Sequence, residues 1–303
     1  MQIGLALPSS WGLPDPHALV DVSVQAEQLG FDAIWMGEHV LNSGYIAERL
    51  GDAPYYGMLA MLSFIAARTS RIKLGTSVLV MPNHHPMTLA KFVATLDHLS
   101  NGRLILGIGC GGNEAEFEAM GLDFAGRGEE TNEMLAVMEA LFTQKRASHH
   151  GKRWNFDNVI FSPKPLQTPF PIWVGGTYDS PPSLRRTARY GTGWQPSGLG
   201  PEKFAAAVEK VRKMAAEAGR DPKAIAMSAT LTIDHGEKIS AVERSTILSA
   251  DLETMVKQLA VWQRLGLDDM VLRLNLRDID TLRKTVNQIG TVVLPRLRER
   301  EAA

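Results

Sequence analysis

Eight short apolar runs, each followed by a segment with helical spacing, set the strongest limit on how this chain can fold. The runs are Ile3 to Leu7, Phe31 to Met36, Ile72 to Val80, Leu104 to Ile108, Pro171 to Gly176, Gly193 to Pro196, Ala226 to Ile233 and Asp269 to Leu274. Several are apolar at consecutive positions, which suits strands buried on both faces of a parallel sheet. Helices are expected over His17–Leu29, Met58–Arg68, from Pro86 to the Asn101-Gly102 turn, from near Glu114, and over Gly128–Phe142. Further ones are expected over Ser183–Tyr190, Pro201–Ala218, Asp251–Leu265 and Ile279–Leu297. In the helix from Pro86, Leu89, Phe92, Val93, Leu96 and Leu99 make one apolar face. Leu41 to Gly57 has no clear period and reads as a long loop; His149 to Pro171 reads as an excursion. Strand–helix alternation implies a parallel sheet. Eight units fit an α/β fold of the (β/α)8 TIM-like barrel kind with insertion segments, typically about 250 residues. An open doubly wound sheet usually has fewer strands and a two-half division that is not visible here. One domain over residues 1–303 is expected.

Composition narrows the function. The 32 Lys and Arg balance 33 Asp and Glu and are spread along the chain, which argues against nucleic acid or an anionic membrane as partner. Cys110 is the only cysteine, so no intrachain disulfide and no cysteine metal cage are possible. No apolar run approaches a membrane span, and the N-terminus lacks a charged and then apolar leader pattern. The expectation is a cytoplasmic protein with no metal, a small-molecule substrate and a homodimeric assembly.

In such barrels the active site lies at the C-terminal ends of the strands. That rule selects Pro8 and Ser9, Glu38 and His39, Ser77 to Val80, Gly109 to Gly112, Gly175 to Ser180, Gln195 to Ser197, and Arg273 with Asn275. His39 suits a hydrogen-bond or proton donor at a cofactor. Its neighbour Glu38 would face the other way on an extended strand. Gly107, Gly109 and Gly112 form G-x-G-x-x-G, but eight βα units favour a glycine-lined strand end over a dinucleotide fingerprint. Cys110 reads as a small packing residue, and His84-His85 and His149-His150 as loop residues rather than metal ligands. Glu114 and Glu116 open a helix, where carboxylates suit the dipole. Arg185 and Arg186 read as a solvated helix face. Gly176, Thr177, Ser180 and Ser183 are the better phosphate candidates.

These residues resemble the luciferase-like monooxygenase superfamily, nearest to its F420-dependent oxidoreductase branch. The resemblance is carried by Ala26-Glu27-Gln28-Leu29-Gly30-Phe31-Asp32, Glu38-His39, Leu74 to Leu79, Leu89-Ala90-Lys91 and Ala94-Thr95-Leu96-Asp97. Leu99 to Arg103, Leu106 to Gly109, Arg127-Gly128, Ser162 to Pro165, Ile172 to Gly176 and Leu184 to Arg186 continue it. It implies a barrel with a cofactor ring at the strand ends and a non-prolyl cis peptide at Ser77-Val78. It also implies His39 as the active-site histidine, Glu38 as the accompanying acid, and Gly175, Gly176 and nearby hydroxyls at the cofactor phosphate. Ser77, Val78, Gly109, Cys110 and Gly111 would line the ring. Gly112 stands where sugar-phosphate dehydrogenases of the superfamily have an acid–base glutamate, which disfavours that activity. Gly107-Ile108-Gly109 and Arg127-Gly128-Glu129 depart from the FMN enzymes, which usually have an asparagine in strand four and an Arg-Tyr pair. The implied activity is hydride transfer with the deazaflavin F420, with Lys164, Arg185 and Arg186 as the nearest cations for its anionic tail. The alternatives are an FMN-dependent monooxygenase and a flavin-binding barrel without turnover.

Overall fold

The structure, a computed structural model, describes residues 1–236 and 246–302. The chain runs β1 (Gln2–Ala6), α1 (Pro16–Gln28), β2 (Ala33–Met36), α2 (Tyr45–Leu50), α3 (Met58–Arg68), β3 (Lys73–Thr76), β4 (Leu79–Val80), α4 (Pro86–Leu99) and β5 (Leu104–Gly109). It continues with α5 (Glu114–Ala119), α6 (Arg127–Thr143), β6 (Ala147–His150), β7 (Asn155–Val159), β8 (Ile172–Thr177), α7 (Pro181–Tyr190) and β9 (Gly193–Ser197). It ends with α8 (Pro201–Glu217), β10 (Ala226–Asp234), β11 (Ile247–Ser249), α9 (Leu252–Arg264), β12 (Asp269–Leu274), α10 (Ile279–Gln288) and α11 (Leu294–Ala302). Strands β1, β2, β3, β5, β8, β9, β10 and β12 pair in parallel, and the β9–β10 and β12–β1 pairings close them into a barrel.

The barrel interior is filled by two tryptophans. Trp35 on β2 and Trp173 on β8 have ring centroids 5.1 Å apart. Their room comes from glycines on neighbouring strands. A Cβ on Gly75 would lie 2.1 Å from Trp35, one on Gly4 2.4 Å from it, and one on Gly193 2.4 Å from Trp173. Outside the barrel, Leu89, Val93 and Leu96 of α4 are buried, together with Met134, Leu135 and Met138 of α6. At the N-terminal end of the barrel, the buried Arg103 guanidinium donates to the carbonyls of Ala66, Thr69 and Ile72, capping α3 where a cation is favoured. Glu27 accepts from the amides of Ser70, Arg71 and Ile72, and Asp97 from those of Leu166 and Gln167.

The structure corrects several expectations. The apolar run 72–80 is two strands, β3 and β4, separated by a cis Ser77–Val78 peptide. The stretch expected as a loop contains α2, whose buried Ile46 and Leu50 give only one i, i+4 pair and so no visible period. The excursion contains the antiparallel β6–β7 hairpin. The closing helix passes through a π-helical turn, Ile289–Val293. Phe92 and Leu99 are exposed, because the barrel covers a narrower stripe of α4 than its apolar pattern spans.

Asp269 points into the closed end of the barrel, two residues below Val271 of the tryptophan layer. Neither of its carboxylate oxygens has a hydrogen-bond partner, nor has the hydroxyl of Ser228 beside it in register. Burial, opposed by Lys73, pushes its carboxyl up to about 7 from an ordinary 3.8. The folded state therefore holds this proton more tightly than the unfolded chain. The stabilisation is complete below about pH 4 and is lost as pH rises to about 7, by on the order of 4 kcal/mol. Urea unfolding of wild type and Asp269→Asn at pH 5 and pH 8 checks this. The difference between the two proteins should change with pH in that direction, and a constant difference would refute it.

Candidate active site

A cavity of about 1080 Å³ opens at the C-terminal ends of the barrel strands. Its wall includes Trp11, His39, Tyr45, Tyr55, Val78 and Asn275. Each of the expected site residues, His39, Glu38, Ser77, Val78, Gly109, Cys110, Gly111, Gly175, Gly176, Thr177 and Ser180, lines it. Cys110 is half-buried on this wall rather than packed away in the core.

The two adjacent residues after β2 do face different ways, and each meets a partner far along the chain. Glu38 accepts from the amide of Val80 at 2.7 Å and pairs with His84 Nε2 at 2.8 Å. His84 is thus not a bystander in a loop: the β4 strand end is tied to the β2 strand end through Glu38. His39 Nδ1 lies 2.7 Å from Glu116 Oε2. The other oxygen of Glu116 accepts from the amides of Val40 at 2.5 Å and Leu41 at 3.1 Å. Glu116 therefore does not cap its helix. It is 2% exposed and clamps the chain after β2. Sequence reasoning missed this because α5 has only six residues and shows no period. The one available signal was that Glu116 follows strand four at the level where His39 leaves strand two.

Aromatic side chains surround the imidazole. Tyr45 and Tyr55 meet His39 edge-on, with ring centroids at 5.7 and 5.6 Å. Burial holds both phenols above their usual range, against the opposing pull of Arg49. Both hydroxyls therefore stay protonated near neutral pH.

The other part of the cavity is built from bare backbone. A Cβ on Gly109 would lie 2.7 Å from the Val78 side chain, and one on Gly175 2.6 Å from it. A Cβ on Gly107 would lie 1.9 Å from the Thr76 carbonyl oxygen. Gly107 and Gly109 of the G-x-G-x-x-G pattern thus answer to the neighbouring strand, while a Cβ on Gly112 would meet nothing. At the start of α7, Pro181 and Pro182 supply no amides, and the buried Ser183 hydroxyl donates to the Gly175 carbonyl. That leaves the hydroxyls of Thr177 and Ser180 as the side chains facing an anion here. Arg186 is buried, not solvated; it donates to Asn132 and the Gly128 carbonyl while lining the cavity. Arg127 lines it as well. Arg185 is exposed, as expected, and Lys164 is spent on the carbonyls of Leu141 and Gln144 at the end of α6.

These features fit a flat tricyclic ring carrying a phosphate. Val78 with Gly109 and Gly175 makes a low wall. Asn275 Oδ1 is buried at the cavity without a hydrogen-bond partner, an acceptor for a polar ring edge. Thr177, Ser180, Arg127 and Arg186 suit an anion. Among the described residues no cluster of three His, Cys, Asp or Glu side chains is arranged to hold a metal, and no helix is long and apolar enough to cross a membrane.

Comparison with known proteins bears on the family and the fold. The family model for luciferase-like monooxygenases matches residues 2–268. An uncharacterized protein of Mycobacterium tuberculosis is 39% identical over 133 residues, 44% of this chain and 47% of that protein. The oxygenase component of flavin-dependent trigonelline monooxygenase from Acinetobacter baylyi is 34% identical, over 52% of this chain and 42% of that one. A phthiodiolone/phenolphthiodiolone dimycocerosates ketoreductase of Mycobacterium bovis is 33% identical, over 73% of this chain and 61% of that one. The matches span about half the length of the first of these relatives. Among solved structures, an F420-dependent secondary alcohol dehydrogenase superposes with a TM-score of 0.82 at 18% identity, covering 98% of this chain and 99% of that one.

The clamp on Val40 and Leu41 has a direct consequence. Glu116→Ala leaves two amides unpaired and should destabilise that segment by about 1–3 kcal/mol. Hydrogen exchange at Val40 and Leu41 should then accelerate by roughly tenfold or more, with the core strands unchanged. Unchanged exchange at both amides would show that the carboxylate does not hold them.

Proposed function

The chain belongs to the luciferase-like monooxygenase family, and on that premise we propose that it is an oxidoreductase using F420 for hydride transfer to or from a small organic substrate. The observation that carries this reading is the cavity itself. One opening brings together a histidine–carboxylate pair, a wall without side chains and an anion seat. F420 is supported over FMN by the glycines at the end of β5, where FMN relatives of the resembled family usually have asparagine. It is supported also by the positive charge of Arg127 and Arg186 on the cavity wall; both are held there by bonds within the protein, Arg127 to the Gly111 and Phe124 carbonyls and Arg186 to Asn132 and the Gly128 carbonyl. The ketoreductase relative points the same way, towards reduction of a carbonyl.

When bound, the deazaflavin supplies a hydride donor or acceptor; the protein supplies position, dryness and proton handling. Val78 and the strand-end glycines would hold the ring, and Thr177, Ser180 and Arg186 would hold the phosphate. Glu38 keeps the Val80 amide in place behind Val78 and so acts as a positioning residue. Glu116 accepts from Nδ1–H of His39, which fixes the tautomer and leaves Nε2 facing the Tyr45 hydroxyl. The second reading, a monooxygenase using reduced FMN and oxygen, is supported by the trigonelline relative.

Titration of reduced F420 and of FMN into the protein, followed by the fluorescence of Trp35 at the cavity, separates the two. F420 should bind at micromolar levels or tighter, about −8 kcal/mol, and FMN more weakly. Tighter FMN would make the monooxygenase the leading reading. With F420 bound, His39→Ala should lower turnover roughly 10²-fold without loss of cofactor affinity. Near-normal turnover in that variant would return His39 to a packing role.

A further inference from the structure

Both ring nitrogens of His39 are already engaged within the protein. Nδ1 faces Glu116 at 2.7 Å, and Nε2 faces the Tyr45 hydroxyl at 3.2 Å. The Glu116 carboxylate already accepts from the amides of Val40 and Leu41 and as a carboxylate has no hydrogen to give, so we assign the hydrogen to Nδ1, and Nε2 accepts from Tyr45. No nitrogen of this imidazole is left over for a substrate. The Tyr45 oxygen, by contrast, keeps a lone pair, and its side chain is half-exposed on the cavity wall.

Tyr45 is held in that place by the same loop that supplies Glu116. Asn113, buried at the start of α5, donates to the Ser43 carbonyl at 2.9 Å. Gly44 follows with a positive φ of 51°, and a Cβ there would lie 2.5 Å from Asn113 Oδ1. This fixed turn opens α2 at Tyr45. One segment after β5 therefore fastens both ends of a Glu116–His39–Tyr45 chain.

We propose that Tyr45, rather than His39, is the side chain that meets the substrate, and that the substrate group is the oxygen of an alcohol or of the corresponding ketone. The inference rests on the hydride-transfer reading for its electron balance, but not for the Tyr45–His39 contact. From the observed arrangement, with Nε2 of His39 unprotonated, the balanced direction is alcohol oxidation: the C–H bond breaks as its electron pair leaves with hydrogen for the oxidised deazaflavin, which would be reduced, and the O–H pair becomes the carbonyl π pair. The alcohol proton passes to the Tyr45 oxygen as the Tyr45 hydroxyl proton passes to Nε2 of His39, whose Nδ1–H stays on Glu116. Ketone reduction runs the same transfers backwards, with Nε2 first taking up a proton from solvent. Burial favours the neutral phenol at Tyr45, as a relay that must start and finish protonated requires.

Tyr45→Phe removes one oxygen and keeps the ring, and it supports two separate measurements. The first needs no cofactor: nitrogen-15 NMR of the histidine side chains. In wild type, His39 should show a protonated Nδ1 and a hydrogen-bonded, unprotonated Nε2; in the variant only the Nε2 resonance should move, towards that of a free acceptor. The second uses reduced F420 with acetone and cyclohexanone as probes. There the variant should lose about 10²-fold in kcat, with KM and F420 affinity kept within about threefold, and the solvent deuterium isotope effect on kcat should change. An unmoved Nε2 resonance, or a variant kcat within about threefold of wild type, overturns the proposal. Wild type that binds F420 but reduces neither ketone overturns the assigned substrate class. Wild type that fails to bind F420 overturns the cofactor reading instead, and the NMR result alone then upholds or rejects the chain through Tyr45.

Discussion

Two indole rings inside one small barrel set the terms for everything above them. A side chain facing Trp35 or Trp173 from the next strand would overlap them, so Gly4, Gly75 and Gly193 stand where other barrels place bulky residues. The plug also defines the cavity floor, because Trp35 reaches it from below. Just above the plug, strand three breaks between β3 and β4 and lifts Val78 into the mouth. Gly109 and Gly175 then yield to Val78, as Gly75 yields to Trp35. The flat wall at the cavity is thus the continuation of a packing scheme that begins in the barrel core.

Charge is handled by crossing over. Glu38 and His39 are neighbours in sequence but belong to two different acid–histidine pairs, Glu38 with His84 and His39 with Glu116. Extended backbone after β2 sends adjacent side chains to opposite sides, so neither could serve the other. Each carboxylate also accepts backbone amides, which makes it a fastener as well as a partner. Burying a carboxylate without such partners is costly, and Asp269 at the closed end, with none, shows the result in its raised proton affinity.

Periodicity and glycine placement made the barrel legible in the sequence, because eight strands buried on both faces leave a repeating apolar signal. The motif residues Glu27, Asp97 and Arg103 turn out to be fasteners on the far side of the barrel from the cavity, bonding turns and helix ends. Resemblance carried by such residues speaks to fold more than to chemistry. The position of His39 at a strand end was readable; its partners were not. Glu116 and Tyr45 lie on six-residue helices, too short to show which face is buried. Arg186 looked solvated because a charged residue on a helix gives no sequence sign that a neighbouring helix will supply acceptors. Partnerships of this kind, 77 residues apart for His39 and Glu116, are a property of closure and not of local pattern.

The division of the cavity has a consequence for specificity. The flat wall comes from β5 and β8 and the strand end before β4, locked by sheet pairing, and the residues suited to an anion from the end of β8 and the starts of α6 and α7. The wall around His39, with Tyr45, Arg49 and Tyr55, comes from one connection between β2 and α3, joined by Trp11 after β1. That connection is fastened to the frame at Glu38, through Glu116 and Asn113, and by the bonds of Tyr56 to Pro14 and of Arg277 to the Arg49 carbonyl, leaving the side chains of Tyr45 and Val40 exposed. Changes of side chain within residues 39–57 can therefore reshape the substrate side while the cofactor side stays as it is. The reverse does not hold. Enlarging Gly109 or Gly175 would displace Val78, and Val78 belongs to the strand end that Glu38 fastens to the level of His39. On the proposed function, cofactor identity would be bound into the barrel frame, and substrate identity would be carried by the connection between β2 and α3.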